Sequence, residues 1–463
     1  MKRKAISSVF WKKLLAGMLS LTLLLLSCPL AMLPFAAQAD AATAPPFDVS
    51  AEAVYMVNLD TGDVIYEKNA HKQLAPASLT KLMTVILTME LVDDYDNTIV
   101  TAPSYVYNEL YEIGKGQIST ADIRQGEEMS VRKLLYCMML QSANEGAAII
   151  ADYLGDGSIP QFVEMMNERA KELGCQNTNF VNPHGLDADG HVSSAYDMYL
   201  IAKHAISLDG FMDIATTLSI DISPTNIHTS DYWLSSTNSM MKSTSEYYYA
   251  PVRGIKTGTT DNAGRCFVST ATLDGFTYLL VVMGSQYQDG DGNYLTENNA
   301  FIDTKNLYEW AFDTFRVKTV VEPGKNVCEI PVKYVWGKDY LVLMSGDRFT
   351  TLMDKDIEVS NVVLEPVIPA YLEAPVSKGD QVGEMRLLLA GEELGRVPLI
   401  AAESVERNQW LYTWSKVTGV FQSFWFKFIL IFLVTFILLY ILLVVIRNHN
   451  RQKYSKVRRR RRL

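Results

Sequence analysis

Three short runs in this 463-residue chain carry side chains that could do chemistry together. The first is Ser78-Leu79-Thr80-Lys81. At positions i and i+3 of a helix, a hydroxyl and an amine share one face and come within reach. A serine hydroxyl is a poor nucleophile until a base takes its proton. Lysine becomes such a base only where burial or a neighbouring cation lowers its pKa. The second run is Ser142-Ala143-Asn144, in a break between two helical stretches. A Ser and an Asn two apart on a turn can point the same way, one relaying a proton and the other holding a substrate amide. Taken alone, helix capping explains that triplet equally well. The third is Lys256-Thr257-Gly258, followed by Thr259 and Thr260. A lysine on a strand would add positive charge near Lys81, Thr257 would offer a hydroxyl to an anionic substrate end, and Gly258 would let a substrate backbone approach closely. Alone it also reads as a turn after an edge strand. The six His are scattered and the Cys are widely spaced, so no metal site and no cofactor are expected.

The elements that must position these residues follow from pattern. Ala53-Val54-Tyr55-Met56-Val57 and Val64-Ile65-Tyr66, separated by Asp60-Thr61-Gly62-Asp63, predict a β-hairpin. Ser78 to Leu91 reads as a helix opened by Pro76 and a Ser, and Val131 to Leu140, Glu145 to Leu154 and Phe162 to Leu173 read as further helices. Phe267 to Thr272 and Thr277 to Met283 read as buried strands joined at Asp274-Gly275. Strands at both ends of the segment with helices between predict one sheet closed by distant parts of the chain and covered by helices. From about residue 316 the texture changes to short alternating runs such as Tyr340-Leu341-Val342-Leu343, punctuated by Gly and Pro. The expectation is an α/β (α+β) catalytic domain over 50–315, a small all-β domain over 316–400 and a juxtamembrane linker over 401–427.

Together the three runs are far more specific than any one of them. Ser-x-x-Lys, Ser-x-Asn and Lys-Thr-Gly occur here in that order, 64 and 114 residues apart, and the trio is the signature of penicillin-binding proteins and class A β-lactamases. With Asn182-Pro183-His184-Gly185-Leu186, and Gly254-Ile255 leading into the third run and Ala263-Gly264 following it, residues 50–315 resemble the low-molecular-mass penicillin-binding proteins of the D-alanyl-D-alanine carboxypeptidase family. The resemblance implies that Ser78 attacks the carbonyl between the last two D-alanines of a peptidoglycan stem peptide, with Lys81 as its base. It further implies that Ser142 passes a proton to the leaving nitrogen and that Asn144 holds the substrate. Lys256 and Thr257 would then face the terminal carboxylate, and the N–H groups of Ser78 and Thr259 would form the oxyanion hole. β-Lactam antibiotics are the implied covalent inhibitors, and His184 is implied to be a turn residue. One departure stands out: where many relatives carry an Arg after the strand ending in Met283-Gly284, this chain has Ser285-Gln286-Tyr287-Gln288-Asp289. Arg265 is a candidate substitute. A serine β-lactamase, a D,D-endopeptidase and a non-catalytic wall-binding relative are the alternatives.

Composition narrows the setting. With 48% hydrophobic and 20% charged residues the chain is not disordered. Its charge is split: five Lys/Arg and no acid in 1–39, nine Lys/Arg and no acid in 447–463, and a net −24 between. An acidic body argues against nucleic-acid binding. Lys2 to Lys13, the thirteen-residue apolar run Leu14–Leu26 and Ala37-Gln38-Ala39 read as a signal peptide over 1–39, with an uncleaved anchor as the alternative. Phe428–Ile446, 19 residues without charge, reads as a transmembrane helix preceded by Trp410, Trp414 and Trp425 and followed by a basic tail over 447–463. The positive-inside rule then predicts a single-pass protein of the cell membrane, its body outside and its tail in the cytoplasm.

Overall fold

The structure, a computed structural model, describes residues 44–114 and 118–460. The signal-peptide reading of 1–39 and the last three residues of the basic tail lie outside them. Residues 44–47 are irregular, and a compact unit begins at Asp48.

Strands β1 (Ala53–Asn58) and β2 (Val64–Lys68) form an antiparallel hairpin. Asn58 Oδ1 fixes its turn by accepting from the N–H groups of Asp60 and Thr61, both at 3.0 Å. A 3-10 turn, Ala77–Thr80, runs into α1 (Lys81–Leu91), whose residues 81–89 are all buried. The single helix expected over 78–91 is therefore two pieces, because Ala77 has φ +48 and the chain enters through a tight turn. A small ladder joins β3 (Ile99–Thr101) to β4 (Glu128–Ser130), with α2 (Tyr105–Gly114) between them. Helices α3 (Val131–Leu140) and α4 (Asn144–Leu154) flank the break that carries Ser142. Then come α5 (Ile159–Glu172), α6 (Ala195–Ser207) and the short α7 (Phe211–Ala215). Ser158 and Ser194 cap α5 and α6 by accepting from the N–H three residues on. A hairpin of β5 (Ser219–Ile222) and β6 (Tyr232–Ser235) precedes the long strands β7 (Val252–Thr260), β8 (Gly264–Leu273) and β9 (Phe276–Ser285), and α8 (Asn299–Thr314) closes the domain.

The main sheet has the order β2-β1-β9-β8-β7, so β1 pairs with a strand more than two hundred residues later, from Ala53 opposite Met283 to Asn58 opposite Tyr278. Both faces are covered, and the side chains alternate accordingly. Tyr55, Val57, Val268, Leu279 and Val281 join the core shared with α1 and α3–α7. Phe267 and Tyr278 turn the other way, onto Phe301 and Phe312 of α8.

The second domain is all β. Strands β10 (Phe315–Val321), β11 (Asn326–Lys333), β12 (Tyr340–Ser345), β13 (Phe349–Asp354), β14 (Val363–Val367), β15 (Leu372–Glu373), β16 (Gln381–Leu389) and β17 (Glu392–Ala401) make a sheet ordered β14-β16-β17-β12-β11-β15 and a β10–β13 pair. Ile330, Leu341, Leu343, Met385, Leu387 and Leu399 fill its core with no exposure. The segment read as a linker is not irregular. Val405 bridges back to Val376, and helix α9 (Gln409–Gln422) follows, capped by Asn408. Helix α10 (Phe424–Arg460) comes next, and its stretch Phe424–Asn448 is long and apolar enough to cross a membrane. The described cysteines, Cys137, Cys175, Cys266 and Cys328, are free thiols.

Candidate active site

The first run is held in an unusual backbone by a second segment. Gly185, at φ +88, packs so closely under the 3-10 turn that a Cβ there would lie 1.9 Å from the Ala77 carbonyl oxygen. Asn182 shapes that segment: its Oδ1 accepts from the Gly185 N–H at 2.7 Å and its Nδ2 donates to the Leu186 carbonyl at 2.9 Å. Thr84 ties it to α1 by donating to the Pro183 carbonyl at 2.7 Å. The turn leaves Ser78 half-buried at the rim and swings Lys81 wholly inside.

Lys81 Nζ lies 2.9 Å from Ser78 Oγ, 2.6 Å from Asn144 Oδ1 and 2.6 Å from the His184 carbonyl oxygen. Burial, followed by the charge of Lys256, holds its pKa well below the usual lysine range, against a smaller opposing pull from Glu145. A neutral amine has two hydrogens and one lone pair. Asn144 and His184 can take the two hydrogens, which leaves the lone pair for the Ser78 hydroxyl. His184 contributes its carbonyl, while its buried ring is kept neutral by desolvation first and Lys81 second. Asn144, expected to hold substrate, is buried and committed to Lys81.

Ser142 sits between α3 and α4 at φ +60, and its Oγ accepts from Lys256 Nζ at 3.0 Å. Lys256, buried at the middle of β7, also donates to the Thr257 carbonyl at 2.9 Å. Burial lowers its pKa to about 7. The two lysines thus meet from opposite walls, each on one serine. Gly258 brings β7 against the turn that carries Ser78: a Cβ there would sit 3.1 Å from both the Ala77 Cβ and the Ser78 nitrogen. Thr257 is half-buried and Thr259 exposed. The end of β7 is pinned across the cleft, with Thr260 donating to Asp187 Oδ1 at 2.7 Å.

Arg265 does not fill the place of the missing arginine. Its guanidinium donates to the carbonyls of Glu297 and Leu295 and lies 5.1 Å over the Tyr287 ring, committed to the 286–298 loop. Two residues beyond the motifs enter the site. Glu145 is buried and fastens the 118–123 segment, accepting from Thr120 and the Ala121 N–H at 2.7 Å each. Thr237 Oγ1 lies 2.6 Å from Thr257 Oγ1. No spacing rule points to either. Among the described residues, no group of three or more His, Cys, Asp or Glu could hold a metal.

A buried lysine of lowered pKa beside a rim serine, with a second lysine and a strand edge opposite, is an arrangement suited to a serine hydrolase that uses lysine as its base. The sequence comparisons name the family. Residues 38–287 match the profile of the family described as D-alanyl-D-alanine carboxypeptidase, and 315–407 match that of the penicillin-binding protein 5 C-terminal domain. The chain is 30% identical over 375 residues to the D-alanyl-D-alanine carboxypeptidase DacF of Bacillus subtilis, covering 81% of this chain and 90% of that protein. With DacC of Escherichia coli it shares 30% over 373 residues, 78% of this chain and 85% of that one. A solved structure of penicillin binding protein 5 from Haemophilus influenzae superposes with a TM-score of 0.59 at 25% identity, covering 78% of this chain and 99% of that chain. The chain belongs to the D-alanyl-D-alanine carboxypeptidase family of serine hydrolases.

Proposed function

We propose that Ser78 is the nucleophile and Lys81 its base, and that this site removes the terminal D-alanine from peptidoglycan stem peptides. The carrying observation is the buried Lys81 Nζ 2.9 Å from Ser78 Oγ, with both of its hydrogens given acceptors elsewhere. In the first step the Ser78 proton moves to Lys81 Nζ as Oγ bonds to the penultimate D-alanine carbonyl carbon. The oxyanion falls to the Ser78 and Thr259 N–H groups, donors worth ~3 kcal/mol each in such sites. The C–N bond then breaks. The leaving nitrogen takes, through Ser142, the proton that Lys81 gained from Ser78, so Lys81 is neutral again; Ser142 hydrogen-bonds with Lys256, and D-alanine departs. Water attacks the acyl-enzyme, gives a proton back through Lys81 and frees Ser78. Gly258 gives the substrate backbone room beside β7, and Lys256 and Thr257 face the terminal carboxylate.

β-Lactams would stop the cycle at the acyl-enzyme. The apolar stretch of α10 anchors the protein, and the nine basic residues over 447–463, set against an acidic body, favour an outside body and a cytoplasmic tail. The test is D-alanine release from a pentapeptide stem, combined with mass spectrometry after penicillin treatment. One adduct on Ser78, absent in Ser78→Ala, is expected. An adduct on another serine would overturn the assignment, rapid turnover of a chromogenic cephalosporin would favour a β-lactamase, and acylation without D-alanine release would favour an endopeptidase or a wall-binding relative.

A further inference from the structure

The residues that read the substrate's free carboxylate are incompletely supplied by the three motifs. No arginine follows Gly284, and Arg265 is bound to the 286–298 loop. Among the motif residues, Lys256 and the Thr257 hydroxyl are the cation and the hydroxyl left for that carboxylate. Thr257 has a partner from outside the motifs, Thr237, at 2.6 Å.

Thr237 is built into place from both walls. Its N–H donates to the Leu140 carbonyl at the end of α3, 3.0 Å away and two residues before Ser142. The next residue, Asn238, is buried and donates to the Gly254 carbonyl on β7 at 2.8 Å. The residue before it, Ser236, donates its N–H to the Leu218 carbonyl at 2.8 Å. The Thr237 hydroxyl is thus presented to Thr257 by backbone tied to the wall that carries Ser142 and to the strand that carries Lys256.

At this separation one of the two hydroxyls must donate to the other. A carboxylate only accepts. When one enters, Thr257 has to turn its own proton toward the carboxylate, and its oxygen then gains by accepting from Thr237. Hydrogen bonds chained in this way strengthen one another, and a charged acceptor strengthens them further. We propose that Thr237 is a positioning residue that sets Thr257 as a donor, so that this site reads a free C-terminal D-carboxylate with a hydroxyl pair in place of a guanidinium. The inference rests on the carboxypeptidase reading above and deepens it by naming how the terminal carboxylate is recognised.

The test uses the full chain in detergent, with Thr237→Val, which keeps the shape and removes the donor, and Thr237→Ser, which restores it. D-Alanine release from a pentapeptide stem gives kcat and KM separately, and the rate of Ser78 acylation at saturating penicillin reports the integrity of the nucleophile. The expected result for Thr237→Val is a KM raised about tenfold, in keeping with loss of one buried hydrogen bond, with kcat and saturating acylation within about twofold. Thr237→Ser should return KM to the unmodified value. An unchanged KM in Thr237→Val overturns the role of Thr237 and leaves the carboxypeptidase reading intact. A fall in kcat and in saturating acylation together, unrescued by Ser, makes Thr237 a structural residue and also overturns it. Absence of D-alanine release by the unmodified protein overturns the carboxypeptidase reading and this inference with it.

Discussion

At the scale of single residues, the proposed chemistry asks opposite protonation states of two lysines. Lys81 must be neutral to accept the Ser78 proton, and burial and the Lys256 charge both press it that way. Lys256, lowered to about 7, is charged below that value and loses its charge above it. A bound carboxylate favours the charged form and moves this limb upward. KM for carboxylate-terminated peptides should therefore rise as pH climbs above about 7 to 8, and steady-state kinetics across pH 6–9 would show it. Lys256→Ala removes the nearest positive charge and part of the burial, and both effects raise the Lys81 pKa. The rising limb of penicillin acylation should then shift to higher pH, with about 10–100-fold weaker acylation at pH 7. Lys81→Ala removes the base and should cost ~100–10,000-fold, the usual range for general base catalysis. An unshifted acylation limb in Lys256→Ala would mean that the two amines do not sense each other.

At the scale of elements, the turn that carries Ser78 depends on a segment a hundred residues away. Gly185→Ala would place a methyl inside the Ala77 carbonyl and hold a left-handed φ of +88. The conformation alone costs ~1–2 kcal/mol, and the overlap adds to it by displacing Ala77. Penicillin acylation should be lost, with a melting temperature lower by at least about 2–4 °C, the shift for ~1 kcal/mol in a domain of this size. Normal acylation in Gly185→Ala would show that the turn has another support. The β5–β6 hairpin carries a different device. His228 at its tip pairs with the buried Glu127 at 2.9 Å and with Asp122 at 3.1 Å, and its ring lies tilted beside Tyr232, centres 4.8 Å apart. The Glu127 bond, then that of Asp122, raise its pKa against burial and the like charge of Arg124. With the folded pKa raised, the attachment is fully present below the ordinary histidine pKa of ~6.5 and is lost as pH rises through the raised value. Amide hydrogen exchange over 219–235, corrected for intrinsic rates, should lose protection between pH 6 and pH 8 in the unmodified protein but not in His228→Gln. Parallel behaviour of the two would remove His228 as the cause.

The same elements show where sequence is readable. Ser78 and Lys81 are one helical turn apart, so their meeting is a local fact that spacing reveals. The runs Phe267–Thr272 and Thr277–Met283 carry no solvent-facing alternation, as suits strands buried on both faces, and the composition shift near 316 falls at the start of β10, Phe315. The 3-10 entry was hidden because the positive φ falls on Ala77, a residue that gives no sign of it. Thr237 was hidden because its contact to Thr257 depends on where the β5–β6 hairpin delivers the chain, and Ser236-Thr237-Asn238 looks like any polar loop. Helix α9 is hidden because its aromatic residues Trp410, Tyr412 and Trp414 stand before a long apolar run and read as a membrane belt.

That helix matters at the scale of the whole molecule. Tyr412 of α9 packs edge-on against Tyr334 of the β domain, ring centres 5.3 Å apart, and Ser415 lies 3.3 Å from the Tyr334 hydroxyl. At 100° per residue, Trp410, Trp414, Val417 and Phe421 fall on the opposite side, and they are 67%, 56%, 43% and 55% exposed. An exposed aromatic stripe on a helix that immediately precedes a span has one natural solvent, the bilayer interface, where amphipathic helices lie flat and bury Trp and Phe. Helix α9 would then sit between the β domain and the lipid, fixing the catalytic cleft at a set height and orientation. Two shortened chains separate this contact from the anchor. A chain ending at Arg407 keeps the Val376–Val405 bridge and should remain in the supernatant when vesicles are pelleted, with penicillin acylation intact. A chain ending at Gln422 keeps α9 but lacks α10 and should co-sediment with vesicles. Replacing Trp410 and Trp414 by Ala in that second chain should return it to the supernatant without affecting acylation. Co-sedimentation that survives the double substitution would place the contact elsewhere on the β domain, and a second chain that stays in the supernatant from the start would leave α10 as the only membrane attachment among the described residues.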